Sequence, residues 1–146
     1  MSYATGFPFF IISAELKHAD NEQNEFTTNL LAHALRVERL TFDLCLGRYK
    51  GALEVSFRIC LNQYDIEECN RVVELAAGWA HEYQQESILL VSPDGLASFY
   101  YPDTGEVVCA GVWRRATDHE LSGESPDYTL IGGEFFVVSE ESGDGS

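Results

Sequence analysis

No apolar run in this 146-residue chain approaches the ~20 residues that span a bilayer, so no membrane helix is expected. Cations are scarce: Lys and Arg number 9 against 24 Asp and Glu, for a formal charge of -15. Binding to a phosphate backbone needs clustered cations that displace counterions, and this balance argues against it. No Lys or Arg follows Arg115, while Asp118, Glu120, Glu124, Asp127, Glu134, Glu140, Glu141 and Asp144 all lie beyond it. The acidity has a plain reading, solubility, and a sharper one, carboxylates that imitate the phosphates of DNA. Its concentration towards the C-terminus favours the plain one. The N-terminus lacks a basic segment followed by an apolar one, so no secretory signal is expected. Phe7 to Ile12 is apolar but short, and suits a buried strand.

Common chemical signatures are missing as well. The chain has no nucleophile elbow, Walker loop, dinucleotide-binding glycine pattern or H-E-x-x-H. Ser56 and Ser87 have no histidine partner that the sequence identifies, so no triad is drawn. His18, His33, His81 and His119 are not spaced as a metal cluster and read as surface or helix-face residues. Cys45, Cys60, Cys69 and Cys109 form no C-x-x-C pair and have no histidine at zinc spacing. Buried, reduced thiols in a cytoplasmic protein account for them.

What is present is enough for a core. Hydrophobic residues make up 45% and aromatic residues 12%, which marks a folded domain rather than a disordered chain. Phe9 to Leu16 reads as a nearly all-apolar strand. Glu25 to Leu35 reads as a helix capped by Asn24, with Phe26, Leu30, Leu31, Ala34 and Leu35 on one side. Arg39 to Leu46 and Ala52 to Leu61 read as strands joined by a turn at Gly47. Asp65 is placed to cap a helix from Ile66 to Tyr83, whose apolar residues follow a helical period. Ser87 to Val91 is a further strand. Ala97 to Tyr101 and Val107 to Trp113 form a hairpin about Asp103-Thr104-Gly105. Tyr128 to Ile131 and Phe135 to Val138 are apolar enough for one more short strand.

The order β-α-β-β-α-β is that of an α+β, ferredoxin-like (split β-α-β) sandwich, here with an added C-terminal hairpin. Such domains often close into PII-like trimers through their sheet edges, and an exposed edge needs cover. Residues 1–116 are expected to form the domain, and residues 117–146 an acidic, largely flexible tail.

One stretch concentrates the chemistry: Gly47-Arg48-Tyr49-Lys50-Gly51-Ala52-Leu53-Glu54-Val55-Ser56-Phe57. A period of two separates Leu53, Val55, Phe57, Ile59 and Leu61 from Glu54, Ser56, Arg58 and Cys60. The second face either meets water or forms a site. Glu54 with Tyr49 and Ser56, joined by Gln85 and Glu86 before the fourth strand, is the candidate group. Glu54 there acts as a base or holds a cationic ligand. The plainer alternative is an exposed carboxylate paired with Arg58 on the same face.

The order of elements, the stretch from Gly47 to Phe57 and Gln85-Glu86-Ser87-Ile88-Leu89 together resemble the small bacteriophage enzymes that degrade S-adenosylmethionine, described both as hydrolases and as lyases. The resemblance runs from about Phe9 to Arg115. It implies cleavage to methylthioadenosine and homoserine lactone, without metal or cofactor, in the cytoplasm (that of the host cell if phage-encoded). It also implies starvation of host restriction-modification systems of their methyl donor. It further implies a homotrimer with sites between subunits, S-adenosylmethionine as the small-molecule partner, and no nucleic acid or membrane. Glu54 matches the family's essential glutamate. An aromatic hydroxyl also contributes in the family. The aligned position here is Phe42, which has none, and Tyr49 is the candidate to replace it. Lyase and hydrolase outcomes start from the same bound sulfonium, and a water-poor cleft favours the lactone. Two other readings stand beside the enzyme: a non-enzymatic PII-like trimer that binds a nucleotide, and an acidic mimic of DNA.

Overall fold

Residues 52–60 alternate as a period of two demands, but neither of the two faces is simply turned to water. The structure, a computed structural model, describes residues 8–16, 18–49, 52–123 and 127–139, with the Tyr49 side chain outside that set. The described residues form, in chain order, β1 (Phe9–Ile12), α1 (Asn21–Val37), β2 (Phe42–Tyr49), β3 (Ala52–Cys60), α2 (Ile66–Glu82), β4 (Ile88–Val91), β5 (Leu96–Tyr101), β6 (Glu106–Arg115), α3 (Asp118–Leu121), β7 (Tyr128–Ile131) and β8 (Glu134–Ser139). Every strand pairing is antiparallel. The strand order β1-β3-β2-β7-β8-β6-β5-β4 returns to β1, so the sheet is a closed eight-stranded barrel.

This overturns the expected ferredoxin-like sandwich. The sequence β-α-β-β-α-β does occur in the first six elements. The sheet does not stay open, however, because β5, β6, β8 and β7 carry it round from β4 to β2. Closure gives edge N–H and C=O groups partners that an open sheet would have to find in another chain. The expected hairpin is present as β5 and β6, but it is barrel wall rather than an extension of an open sheet. Residues 128–139 supply two strands, β7 against β2 and β8 against β6, so the barrel extends past the expected boundary at 116. Residues 140–146 lie outside the described residues.

Two cores result. Outside the barrel, α1 and α2 cover β1, β3 and β4, burying Phe10, Ile12, Phe57, Ile59 and Ile88 against Leu31, Leu35 and Val72. Each such side chain is worth about 1.5–3 kcal/mol of transfer free energy. Inside, Phe9, Trp113 and Phe136 fill one end. Trp113 meets Phe9 edge-on and stacks on Phe136, both with centroids 5.1 Å apart. An eight-stranded barrel is just wide enough for side chains to fill its interior.

Local details differ from expectation for physical reasons. Asp20, not Asn24, caps α1, accepting the Gln23 N–H at 2.8 Å. Asn24 instead accepts the Leu16 N–H at 2.9 Å and donates to the Leu16 carbonyl at 3.1 Å, tying the helix to the chain that leaves β1. Phe26 and Leu30 are exposed, and the buried side of α1 is Leu31, Ala32 and Leu35. Asp65 caps α2 as its sequence suggests. Gly47 makes no turn; it lies within β2, opposite Glu54. Cys109 is exposed, on β6 beyond a register shift, while Cys45 is buried; all four cysteines are free.

Candidate active site

The inward face of β3 carries Glu54, Ser56, Arg58 and Cys60, the polar set of the period-two pattern. Pairing fixes what surrounds it. Gly47 of β2 stands opposite both Glu54 of β3 and Thr129 of β7, and Cys45 stands opposite Ser56 and Ile131. Because Gly47 has no side chain, the barrel wall leaves room beside Glu54. At this end the interior opens into a cavity of about 320 Å³ lined by Ile11, Ser13, Gly47, Glu54, Ser56, Gln85, Glu86, Ser87, Leu89, Phe99 and Thr129. Its size lies within the range of small-molecule sites, ~300–1,000 Å³, and the mouth of a barrel is a common place for one.

Four of the residues singled out from the sequence, Glu54, Ser56, Gln85 and Glu86, therefore meet at one cavity. Phe42 does not. It sits at the other end of β2, opposite Ile59, and its ring packs edge-on against Phe57 at 5.2 Å with the Arg36 guanidinium 5.5 Å from its centroid. Phe42 and Gly47 are five positions apart, an odd offset, so the pleat turns Phe42 to the helix-covered side. Phe42 is therefore not among the residues that line this cavity. The side chain of Tyr49 lies outside the described residues, so the expectation placed on it does too.

The segment after β1 braces the cavity wall. Ser13 donates to the Val55 carbonyl at 2.9 Å and accepts the Glu15 N–H at 3.1 Å. The Glu15 carboxylate accepts the Val55 N–H at 2.9 Å. These side chains continue the pairing with β3 beyond the end of the β1 ladder. Gln85 reaches the cavity through the way α2 ends. Gln84 takes a left-handed conformation with φ of 57°, and the Gln85 N–H bonds back to the Ala80 carbonyl at 2.7 Å. That is a helix-terminating pattern usually built on glycine. The Gln85 amide nitrogen then donates to the Glu15 carbonyl at 2.8 Å, so its oxygen is the group it offers to the cavity.

Deeper in the barrel, Arg58 is only 4% exposed. Its Nε and Nη2 donate to one Asp43 oxygen at 3.1 and 2.8 Å, and its guanidinium lies 5.1 Å from the Phe9 ring centroid. Arg58, which the plainer reading pairs with Glu54, is bound by Asp43 across β2 and β3. Burial pushes the Cys45 thiol up to about 12, against the opposing pull of Arg58, and burial raises Cys60 too. Thiols held protonated are poor nucleophiles at neutral pH. Glu54 also borders a second cleft, of about 410 Å³, with Glu15, Leu16, Ala19, Asn21, Asn24, Ala52 and Leu53. Among the described residues no group of three or more His, Cys, Asp or Glu is arranged to hold a metal ion. None of the described helices is long and apolar enough to cross a membrane.

Ser13, Gly47, Phe99 and Thr129 were not foreseen as site residues. Gly47 read as a turn and Thr129 fell in the expected tail, so only knowledge of the strand pairing brings them to Glu54. The cavity thus presents carboxylates and hydroxyls over an apolar floor, a lining suited to a cation with an apolar body. No curated protein matches the chain in sequence. The sequence model of the S-Adenosylmethionine lyase family matches residues 10–139, a span that takes in the whole cavity and nearly the whole barrel, and the chain belongs to that family.

Proposed function

We propose that this protein cleaves S-adenosylmethionine to methylthioadenosine and homoserine lactone in the cavity at the barrel mouth. The observation that carries this reading is the convergence of Glu54, Ser56, Gln85 and Glu86 on one cavity in a chain of this family. The substrate is a sulfonium and carries its own leaving group. Its carboxylate attacks its γ-carbon, a C–O bond forms as the C–S bond breaks, and the sulfur leaves as a neutral thioether. No proton has to move and no outside nucleophile is needed. The protein's part is to fold the methionyl chain into attack geometry and to keep water away, and orientation alone can supply large rate gains. Glu54 supplies a fixed negative charge for the sulfonium or the ammonium, with Ser56 and the Gln85 oxygen as further acceptors. A net charge of -15 favours capture of a substrate whose net charge is positive.

Incubation with S-adenosylmethionine, followed by chromatography, tests the reading. Methylthioadenosine and homoserine lactone are expected, and Glu54→Gln is expected to slow turnover by roughly 10²–10³-fold, the scale of losing one preorganised electrostatic contact. Homoserine in place of the lactone from the first turnover would mean that water attacks. Binding without products, equal in wild type and Glu54→Gln, overturns the enzyme and supports a nucleotide-binding role. The same proposal extends to a homotrimer, testable by light scattering, and to work in the cytoplasm. There, loss of the methyl donor would disarm methylation-dependent restriction.

A further inference from the structure

Towards β5 the wall of the cavity becomes apolar. Ile11 of β1, Leu89 of β4 and Phe99 of β5 stand in register on three adjacent strands, and all three line the cavity. Leu89 is buried, whereas Phe99 is 37% exposed. The aromatic side chains at the other end of the barrel behave differently: Phe9, Trp113 and Phe136 cover one another. Phe99 has no ring contact among the described residues. Its neighbour on β6 is Val108, also exposed.

A bulge produces this arrangement. Ala97 pairs with Gly111 but Ser98 pairs with Cys109, so β6 carries an extra residue, Ala110. Bulges bend a strand, increase its twist and occur at barrel rims beside active sites. Here the shift places Val108 opposite Phe99 and sends Cys109 to the outer face. From Glu54 the wall passes through β1 and β4 before reaching Phe99 on β5. Three strand spacings of ~4.8 Å give ~14 Å around the wall. The cavity thus has Glu54 on one wall and a solvent-exposed aromatic face three strands away, with the Glu86 carboxylate at the rim before β4.

We propose that Phe99 is the platform on which the purine base of the substrate stacks, over a floor of Leu89 and Ile11. This rests on the reading of the cavity as the site of S-adenosylmethionine cleavage. The two ends of that substrate have the matching character: a cationic methionyl sulfonium for the Glu54 side, and a flat, apolar-faced base for the Phe99 side. Phe99 thereby selects an adenosyl sulfonium over a simple alkyl sulfonium, without taking part in bond breaking.

Calorimetry with methylthioadenosine, which carries the base without the charge, tests this on wild type, Phe99→Ala, Phe99→Leu and Phe99→Tyr. Circular dichroism checks that each variant is folded. Loss of one base–aromatic stack corresponds to about 5- to 150-fold weaker binding. Phe99→Ala and Phe99→Leu are expected to fall in that range, and Phe99→Tyr to stay within about threefold of wild type. KM for S-adenosylmethionine should rise by a similar factor while kcat stays within about threefold. Phe99→Leu binding as tightly as wild type overturns the proposal, because the ring then only fills space. Failure of wild type to bind methylthioadenosine overturns it as well. If Phe99→Ala does not fold, the comparison of Phe99→Leu with Phe99→Tyr decides. Phe99-dependent binding with no cleavage sinks the lyase reading and leaves a nucleoside site. Cleavage with an unchanged KM in Phe99→Leu sinks the platform and leaves the lyase.

Discussion

The two ends of the barrel interior are built from the same alternating strands and do opposite work. At one end Phe9, Trp113 and Phe136 touch ring to ring and are all buried. At the other, Ser13, Glu54, Ser56, Gln85 and Thr129 surround open space. Between them the Arg58–Asp43 pair bonds across β2 and β3. A barrel of this size has enough interior for one packed cluster or for a small ligand. This one divides its length, so that packing at one end holds the strands that carry the site at the other.

The largest expected effect comes from attacking the packed end. Trp113→Ala should cost about 3–5 kcal/mol, the usual range for removing a large buried aromatic side chain. Urea denaturation measures it. A cost under 1 kcal/mol would show that the aromatic end does not hold the barrel. Asp43→Ala comes next, at about 3 kcal/mol, because it leaves the guanidinium of a nearly buried Arg58 without its carboxylate. Chemical denaturation of the single variant and of the double variant with Arg58→Met separates the two causes. The double variant should recover part of the loss.

Phe42→Tyr tests the face assignment at about 1 kcal/mol or less. If Phe42 packs under the helices as described, a hydroxyl there reaches no substrate, and turnover should stay within about twofold of wild type. A gain of tenfold would restore Phe42 to the site.

The smallest effect is expected outside both ends, where Glu120 of α3 bonds Arg114 of β6. Arg114 and, after it, the Thr117 N–H hold the Glu120 carboxyl down to about 2, from an ordinary 4.5. A depressed carboxyl contributes stability that is fully present above its unfolded value and is lost as pH falls through the folded one. The junction should therefore loosen between pH 4.5 and about 2, with no change above pH 5. Acid titration of wild type against Glu120→Gln reads this, and parallel curves would contradict it.

Most of the separate elements were legible in the chain, but not the barrel they build. The period of two in β3 separated Glu54, Ser56 and Arg58 from Phe57 and Ile59, and the structure puts those sets on opposite faces. Helix α2 and its Asp65 cap followed from spacing alone, and so did the β5–β6 hairpin, with Gly105 at a positive φ in its turn. The end of α1 was not legible, because Asp20 and Asn24 are both good capping residues and only the contact with Leu16 distinguishes them. Phe26 and Leu30 belong to an apolar helical period but lie on its exposed side.

The closure of the barrel was the larger miss. Tyr128–Ile131 and Glu134–Ser139 are short strands amid acidic residues, and neither has a period long enough to announce a partner. For the site, the sequence could nominate Glu54, Ser56, Gln85 and Glu86, because strand alternation and local motif are properties of neighbouring residues. It could not nominate Gly47, Phe99 or Thr129, whose meaning depends on which strands lie beside them. Local periodicity decided which side chains share a face. Only the closed sheet decided what that face encloses, because strand pairing joins residues that lie tens of positions apart in the chain.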